Sequence, residues 1–441
     1  MNKRSAVVAR SALAGLVSVG WLLGCSIPRD PPNAPHDLAF IDYWPATDRT
    51  RLRLAIKDNI DLKGSVTSAG SKYLFKHAQP ATEDAACLAG ARAKNVQIVG
   101  KTNLSEFAIS PSGMNDYFGT PRNPFSHWPR MLIPGGSSSG SAVAVARGDV
   151  DVAFGTDTAG SVRVPAACCG VVGLKTTFGL ISTKGVYPID SRNLDTVGPL
   201  ARTINDLVSG MDLLQPGFQA KYQAAVAAKP DARRIRIGRL YLSGTDPKID
   251  QAIDYALNSG PFHVIVLGPA FKDQWIQAKA DGDVLASSGA WLTNSRYLNA
   301  WGVAGRTKGT ILFGEINYLS QYRQALSRRP AWQHTLHRTF QRVDFIVLPT
   351  IRSRPPGVPL ILNRSTLEAL VLGDQNTVAV NFAGNPALAI PVPVNDKIVP
   401  VTSLQLVGPP RSEAALVNAG RIIEAERPQL EKGIHSSATN Q

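Results

Sequence analysis

An α/β fold is what three features of the 441-residue sequence predict. Short apolar runs alternate with helix-patterned stretches, the rhythm of layered α/β proteins. Gly- and Ser-rich turns separate those runs. Hydrophobic residues make up 44% and charged residues 18%, which is enough apolar material for a sizeable core and excludes a disordered chain. The length suits two to four units of roughly 100–200 residues, or one large α/β enzyme fold. Four cysteines are too few for a disulfide scaffold. Lys plus Arg number 47 against 33 Asp plus Glu, a net +14, which raises an anionic partner, nucleic acid or membrane surface.

Leu52–Ile56 alternates and reads as a strand, with Lys57-Asp58-Asn59 at its end. Glu83–Lys94 is Ala-rich with helical spacing, and Val96–Val99, closing at Gly100, is a short buried strand. Met131–Gly140 is a Gly/Ser loop, Ser141–Arg147 a small-residue helix and Val150–Gly155 a strand. A second Gly-rich turn covers Asp157–Ser161. Arg202–Leu214 is an amphipathic helix, Arg233–Leu242 and Phe262–Leu267 are strands, and Val343–Pro349 and Pro386–Val392 are buried strands. No internal repeat is visible.

The first residues carry Lys3, Arg4 and Arg10 before the uncharged apolar run Ser11–Leu23, too short to span a bilayer and suited to a signal peptide. Leu22-Leu23-Gly24-Cys25 resembles the bacterial lipobox, which implies a lipid-modified Cys25 after cleavage, and Ser26 favours the outer membrane. An ordinary secretory signal or an N-terminal anchor are the other readings. The expected organisation is a signal over 1–24, a Pro-rich tether over 25–39, one folded body over 40–434 and a polar tail over 435–441. In an envelope-anchored protein the positive surplus faces the membrane rather than nucleic acid.

Three pieces bear chemistry: Lys57 at a strand end, the run Gly135–Ser141, and the run Gly155–Pro165. Singly, each suits a solvated strand end or a flexible loop. Together they resemble the amidase signature family, whose motif is met from Gly135 to Ala166. The likeness extends from Ala55–Ile60 to Gln405–Pro409, through Gly100–Asn103, Gly173–Thr176 and Asp195–Pro199, and thins between Pro216 and Gln341. It implies one large α/β/α domain with a central mixed, largely parallel sheet flanked by helices. The Gly/Ser motif and the run Gly179–Val186 look most like allophanate hydrolases.

The resemblance assigns Ser161 as nucleophile, Ser137 as bridging serine after a cis peptide, and Lys57 as ultimate base. A serine hydroxyl needs a base to become a nucleophile. A lysine serves near pH 7 only if burial depresses its pKa. The backbone N–H groups of Thr158, Ala159, Gly160 and Ser161 form the implied oxyanion hole. Ala159 stands where the family most often has Gly, which removes positive-φ freedom. Gly136, Ser138, Asp157 and Arg163 support these turns, a plain ion pair being the other reading of the last two. Ala108 and Ile109 border the acyl side of the pocket, and the thin stretch from Pro216 to Gln341 shapes the remainder.

Rival patterns are weaker. Gly136–Gly140 also fits G-x-S-x-G with Ser138 as nucleophile, but the candidate partners His263, His334 and His337 lie in no matching context. No Lys follows Gly140, so a phosphate loop is unsupported, and His334-x-x-His337 lacks a third zinc ligand. Cys168 and Cys169 read as buried small side chains, a disulfide with Cys87 being possible in an oxidising compartment. The expected activity is hydrolysis of a small-molecule carboxylic amide without metal or cofactor. The other readings are one subunit of a glutamine-dependent amidotransferase, or an envelope-tethered, non-catalytic binding member.

Overall fold

The computed structural model describes residues 35–48, 50–228, 235–358 and 364–438. Its centre is one eleven-stranded sheet. In chain order the strands are β1 (Phe40–Tyr43), β2 (Arg53–Lys57), β3 (Gln97–Thr102), β4 (Val152–Asp157), β5 (Val172–Lys175), β6 (Thr196–Ala201), β7 (Ile235–Arg239), β8 (Phe262–Val266), β9 (Phe345–Pro349), β10 (Ala387–Pro393) and β11 (Val401–Val407). Across the sheet they run β1-β3-β2-β4-β6-β5-β10-β11-β9-β7-β8.

The mixed, helix-flanked architecture stands as the resemblance implies, but its parallel share is smaller than expected. Six of the ten pairings are antiparallel, and parallel pairing is confined to β3-β2-β4 and β9-β7-β8 near the two edges. The reason is connectivity. Parallel partners need a crossover, such as the helix Pro247–Ser259 between β7 and β8, whereas a short link lets β11 fold straight back on β10.

Side-chain alternation sets the layers. Leu54 and Ile56, Val152 and Phe154, and Leu388 and Ile390 join one core, with the helices Ile204–Leu214, Pro247–Ser259 and Glu413–Ala438 over it. Ala55, Ala153 and Ala389 point to the other face. These small residues let the helices Ser139–Arg147 and Arg163–Cys169 lie close to the strands. Beside them, Leu240, Ile346 and Leu348 form a third core with Trp275 and Trp332.

Several expected elements differ in extent. The helix expected over Glu83–Lys94 is a 3₁₀ turn, Ala86–Leu88, followed by Ala89–Ala93. Its first residues are drawn into extended pairing, Ala85 N–H to Asp61 O and Ala86 N–H to Lys184 O. Of the strand expected over Arg233–Leu242, residues 233–234 lie outside the described residues and Ile235–Arg239 is strand. The stretch with thin resemblance holds three long helices, Pro269–Asn294, Gly305–Ser320 and Tyr322–Phe340. The C-terminal helix Glu413–Ala438 continues past His435, where a polar tail was expected. The signal segment, Cys25 and the tether up to residue 34 lie outside the described residues.

Candidate active site

Lys57 ends β2 in register with Thr102 of β3, beside β4, so it stands at the carboxyl end of three parallel strands. Open α/β sheets place ligands at such ends. Its parity matches Ala55, which turns the side chain toward the layer of the serine-bearing helices. Lys57 is fully buried. Its Nζ lies 2.7 Å from Ser137 Oγ and 2.8 Å from Thr156 Oγ1. Burial pushes its pKa down from 10.5 to about 7, with Asp157 and Asp195 partly opposing the drop. Near neutral pH a large share of molecules therefore carries an uncharged amine against a serine hydroxyl.

Ser137 is held by its loop. Gly136–Ser137 is a cis peptide. Gly136 donates to Pro111 O at 2.7 Å, and Ser105 N–H reaches Ser137 O at 3.3 Å. A Cβ on Gly136 would come within 2.4 Å of Ser110 O, so only glycine fits against that backbone. Ser138 N–H donates to Ser161 O at 3.1 Å, which sets the two serine-bearing turns side by side. Ser138 Oγ itself packs over Gly155, where a Cβ would approach it to 2.8 Å.

Ser161 precedes the helix Arg163–Cys169 and is half-buried, whereas Lys57 and Ser137 are closed off. Among the described residues its hydroxyl makes no side-chain hydrogen bond. The expected set of four oxyanion donors needs a correction. Gly160 N–H donates to Asp157 Oδ1 at 2.8 Å and is thereby committed. Thr158, Ala159 and Ser161 keep N–H groups without an acceptor among the described residues. Gly160 sits at φ +134° with Thr377 Oγ1 2.2 Å from where a Cβ would be. Ala159 avoids positive φ, so its methyl costs the turn nothing, and its carbonyl accepts from Thr377 Oγ1 at 2.5 Å.

Asp157 and Arg163 are fully buried and form a two-pronged pair, Nε–Oδ2 3.0 Å and Nη2–Oδ1 2.9 Å. Arg163 also donates to Thr377 O at 3.1 Å, to Gln405 Oε1 at 2.6 Å and to Asn381 Oδ1. Burial alone would raise the Asp157 carboxyl, but the Arg163 guanidinium, Lys175 and Asn381 outweigh it and hold it below the ordinary carboxylate range. Asp157 in turn accepts from Gly160 N–H and Val162 N–H. The ion pair thus shapes the turn that carries Ser161.

Ala108 ends the 3₁₀ turn Glu106–Ala108 and Ile109 follows it, while Ser105 just before the turn donates its N–H to Ser137 O. Ala108 packs with Leu104, Ile189 and Ala290, the last from the helix Pro269–Asn294. The sequence alone marks no part for Thr156, Asn59 or Asp195, although all three stand inside the runs that carry the resemblance. Asn59 Nδ2 donates to Thr156 Oγ1 at 3.1 Å, and Tyr187 N–H to Asn59 O at 2.7 Å. Asp195 accepts from Thr158 Oγ1 at 2.6 Å. Cys87, Cys168 and Cys169 are free and buried, and Cys169 Sγ donates to Pro134 O at 3.3 Å behind the serine loop. His334 and His337 sit exposed on the helix Tyr322–Phe340.

The pattern of the Amidase family matches residues 52–259 and 294–417. A glutamyl-tRNA(Gln) amidotransferase subunit of Halobacterium salinarum is 32% identical over 411 residues, 84% of this chain and 94% of the relative. The solved structure of the corresponding glutamyl-tRNA(Gln) amidotransferase subunit of Thermotoga maritima superposes with a TM-score of 0.72 at 26% identity, covering 89% of this chain and 88% of that one. Allophanate hydrolase of Kluyveromyces lactis shares the fold, with a TM-score of 0.74 at 21% identity over 94% of this chain and 70% of that one.

These relatives overturn the expected localisation. Residues 1–26 point to a lipid-anchored envelope protein, whereas the relatives from Halobacterium salinarum and Thermotoga maritima are, by name, glutamyl-tRNA(Gln) amidotransferase subunits. Among the described residues no helix is long and apolar enough to cross a membrane.

Proposed function

The chain belongs to the amidase family and is an amide-cleaving enzyme, and from that premise we propose that it hydrolyses a carboxylic amide through an acyl-enzyme on Ser161. The observation that carries the assignment of roles is the buried contact of 2.7 Å between Lys57 Nζ and Ser137 Oγ. Uncharged Lys57 takes the Ser137 proton while Ser137 takes that of Ser161. Ser161 Oγ then bonds to the substrate carbonyl carbon. The oxygen that gains charge is met by the uncommitted N–H groups of Thr158, Ala159 and Ser161, each such donor being worth ~2.7–4 kcal/mol of barrier. On collapse the C–N bond breaks, and the amine leaves with a proton returned from Lys57 through Ser137. Water repeats the sequence on the ester and frees the acid.

A second reading is favoured by the relatives: ammonia released from glutamine serves an amidotransferase assembly, with this chain as its amidase component. Both readings use the same acyl-enzyme. Protein treated with a fluorophosphonate probe is expected to be labelled on Ser161, and equal labelling of Ser161→Ala sinks the assignment. Turnover of a panel of aliphatic, aromatic and peptide amides by the chain alone supports the free hydrolase. Release of ammonia from glutamine only in the presence of further subunits supports the second reading.

A further inference from the structure

Two buried carboxylates, Asp157 and Asp195, act on Lys57 through space, and they differ in one respect. Asp157 spends its charge on Arg163, with Lys175 close by. Asp195 is also buried, which pushes its carboxyl pKa up, and the groups that hold its charged form against that rise are neutral: Thr158 Oγ1 at 2.6 Å, Ile189 N–H at 2.9 Å and Asp190 N–H at 3.1 Å. No cation forms a salt bridge with it among the described residues. Of the charged groups, Asp190 acts on Asp195, and Asp195 acts on Lys57. Asp190 is occupied with Asn193 at 3.0 Å and lies in the field of Arg329. Asp195 therefore touches two functional pieces at once, the turn that offers oxyanion donors and the segment that places Ile189 against Ala108.

We propose that Asp195 is a positioning residue of this site, which anchors the Thr158 turn to the Ile189 segment and presents an unneutralised negative charge to Lys57. The inference rests on the acyl-enzyme reading above. The charge favours the protonated lysine, opposing the burial that drives the proton off. Removing it while keeping the shape frees the base at lower pH. Removing the anchor loosens the turn, where misplacement by about 1 Å costs ~100-fold in rate.

The test is the rate of fluorophosphonate labelling of Ser161 against pH. For Asp195→Asn the midpoint is expected about 1 pH unit below that of the unaltered protein, with the plateau rate at least about tenfold lower. Asp195→Glu keeps the charge, so it is expected to lower the plateau and hold the midpoint. A folded Asp195→Asn with an unmoved midpoint overturns the proposal and leaves the nucleophile assignment intact. So does a midpoint that Asp195→Glu moves as far as Asp195→Asn. If Asp195→Asn does not fold, Asp195→Glu decides alone, and an unchanged plateau refutes the anchoring. Absence of Ser161 labelling in the unaltered protein overturns the acyl-enzyme reading and this inference together.

Discussion

Replacing Lys57 by methionine removes one titrating amine from the interior while keeping most of its volume. The drop of its pKa from 10.5 to about 7 corresponds to about 5 kcal/mol against the protonated form in the fold. The sign follows from proton binding. Between pH 7 and 10.5 the unfolded chain holds a proton on Lys57 that the native state has released, so stability rises with pH across that window. Below pH 7 both states are protonated and the whole penalty stands; above 10.5 it is gone. Lys175, whose two carbonyl contacts are equally buried, is pushed down to about 7 as well. It remains in the variant, so the difference between the two proteins isolates Lys57. Methionine leaves the Ser137 and Thr156 hydroxyls without their amine, at roughly 1–3 kcal/mol each, so the net gain at pH 6 is at most a few kcal/mol. The slope is the sharper quantity. Urea unfolding measured from pH 6 to 10 is expected to show the unaltered protein gaining on Lys57→Met by about 1.4 kcal/mol per pH unit above neutrality. Amide turnover is expected to be abolished in the variant and, in the unaltered protein, to fall off below about pH 7. Parallel slopes, or full turnover at pH 5, would refute the account of Lys57 as a buried, neutral base.

Arg163→Met leaves Asp157 as an unpaired buried charge, and a loss of about 3–5 kcal/mol is expected in thermal or urea unfolding. Adding Asp157→Asn to it should recover part of that loss; a more severe defect in the double variant would contradict the pairing. Gly160→Ala forces a methyl toward Thr377 Oγ1 at 2.2 Å, at a φ of +134°. Ser161 labelling is expected to slow by about 100-fold or more, and a rate equal to that of the unaltered protein would show that the turn has slack.

The catalytic candidates were legible because the chemistry sits in short contiguous runs. Gly135–Ser141 and Gly155–Pro165 keep their meaning as strings of letters, since each must make one tight turn of backbone. The strands β2, β4 and β10 were legible for a related reason: buried strands read as apolar runs bounded by Gly, Pro or charge. The long helices over 269–340 were not. Pro269–Asn294 packs against Gly305–Ser320, Tyr322–Phe340 and Val378–Ala383. A helix covered on several sides loses the one-sided apolar stripe that marks a surface helix.

By itself the sequence determined which residue types meet: a lysine at a strand end, two serines on glycine turns, and an aspartate and an arginine near the second serine. Only the tertiary structure decided their states. It closes Lys57 from water, which drives its pKa to about 7. It spends Gly160 N–H on Asp157, and it gives Asp157 a salt bridge to Arg163 while Asp195 has none among the described residues. Those outcomes depend on burial and on distances of about 3 Å between groups far apart in the chain, such as Lys57 and Thr156 or Arg163 and Gln405. Local patterning sets a residue's direction along a strand or turn. The dielectric around it and the partner opposite it arise only when the layers close.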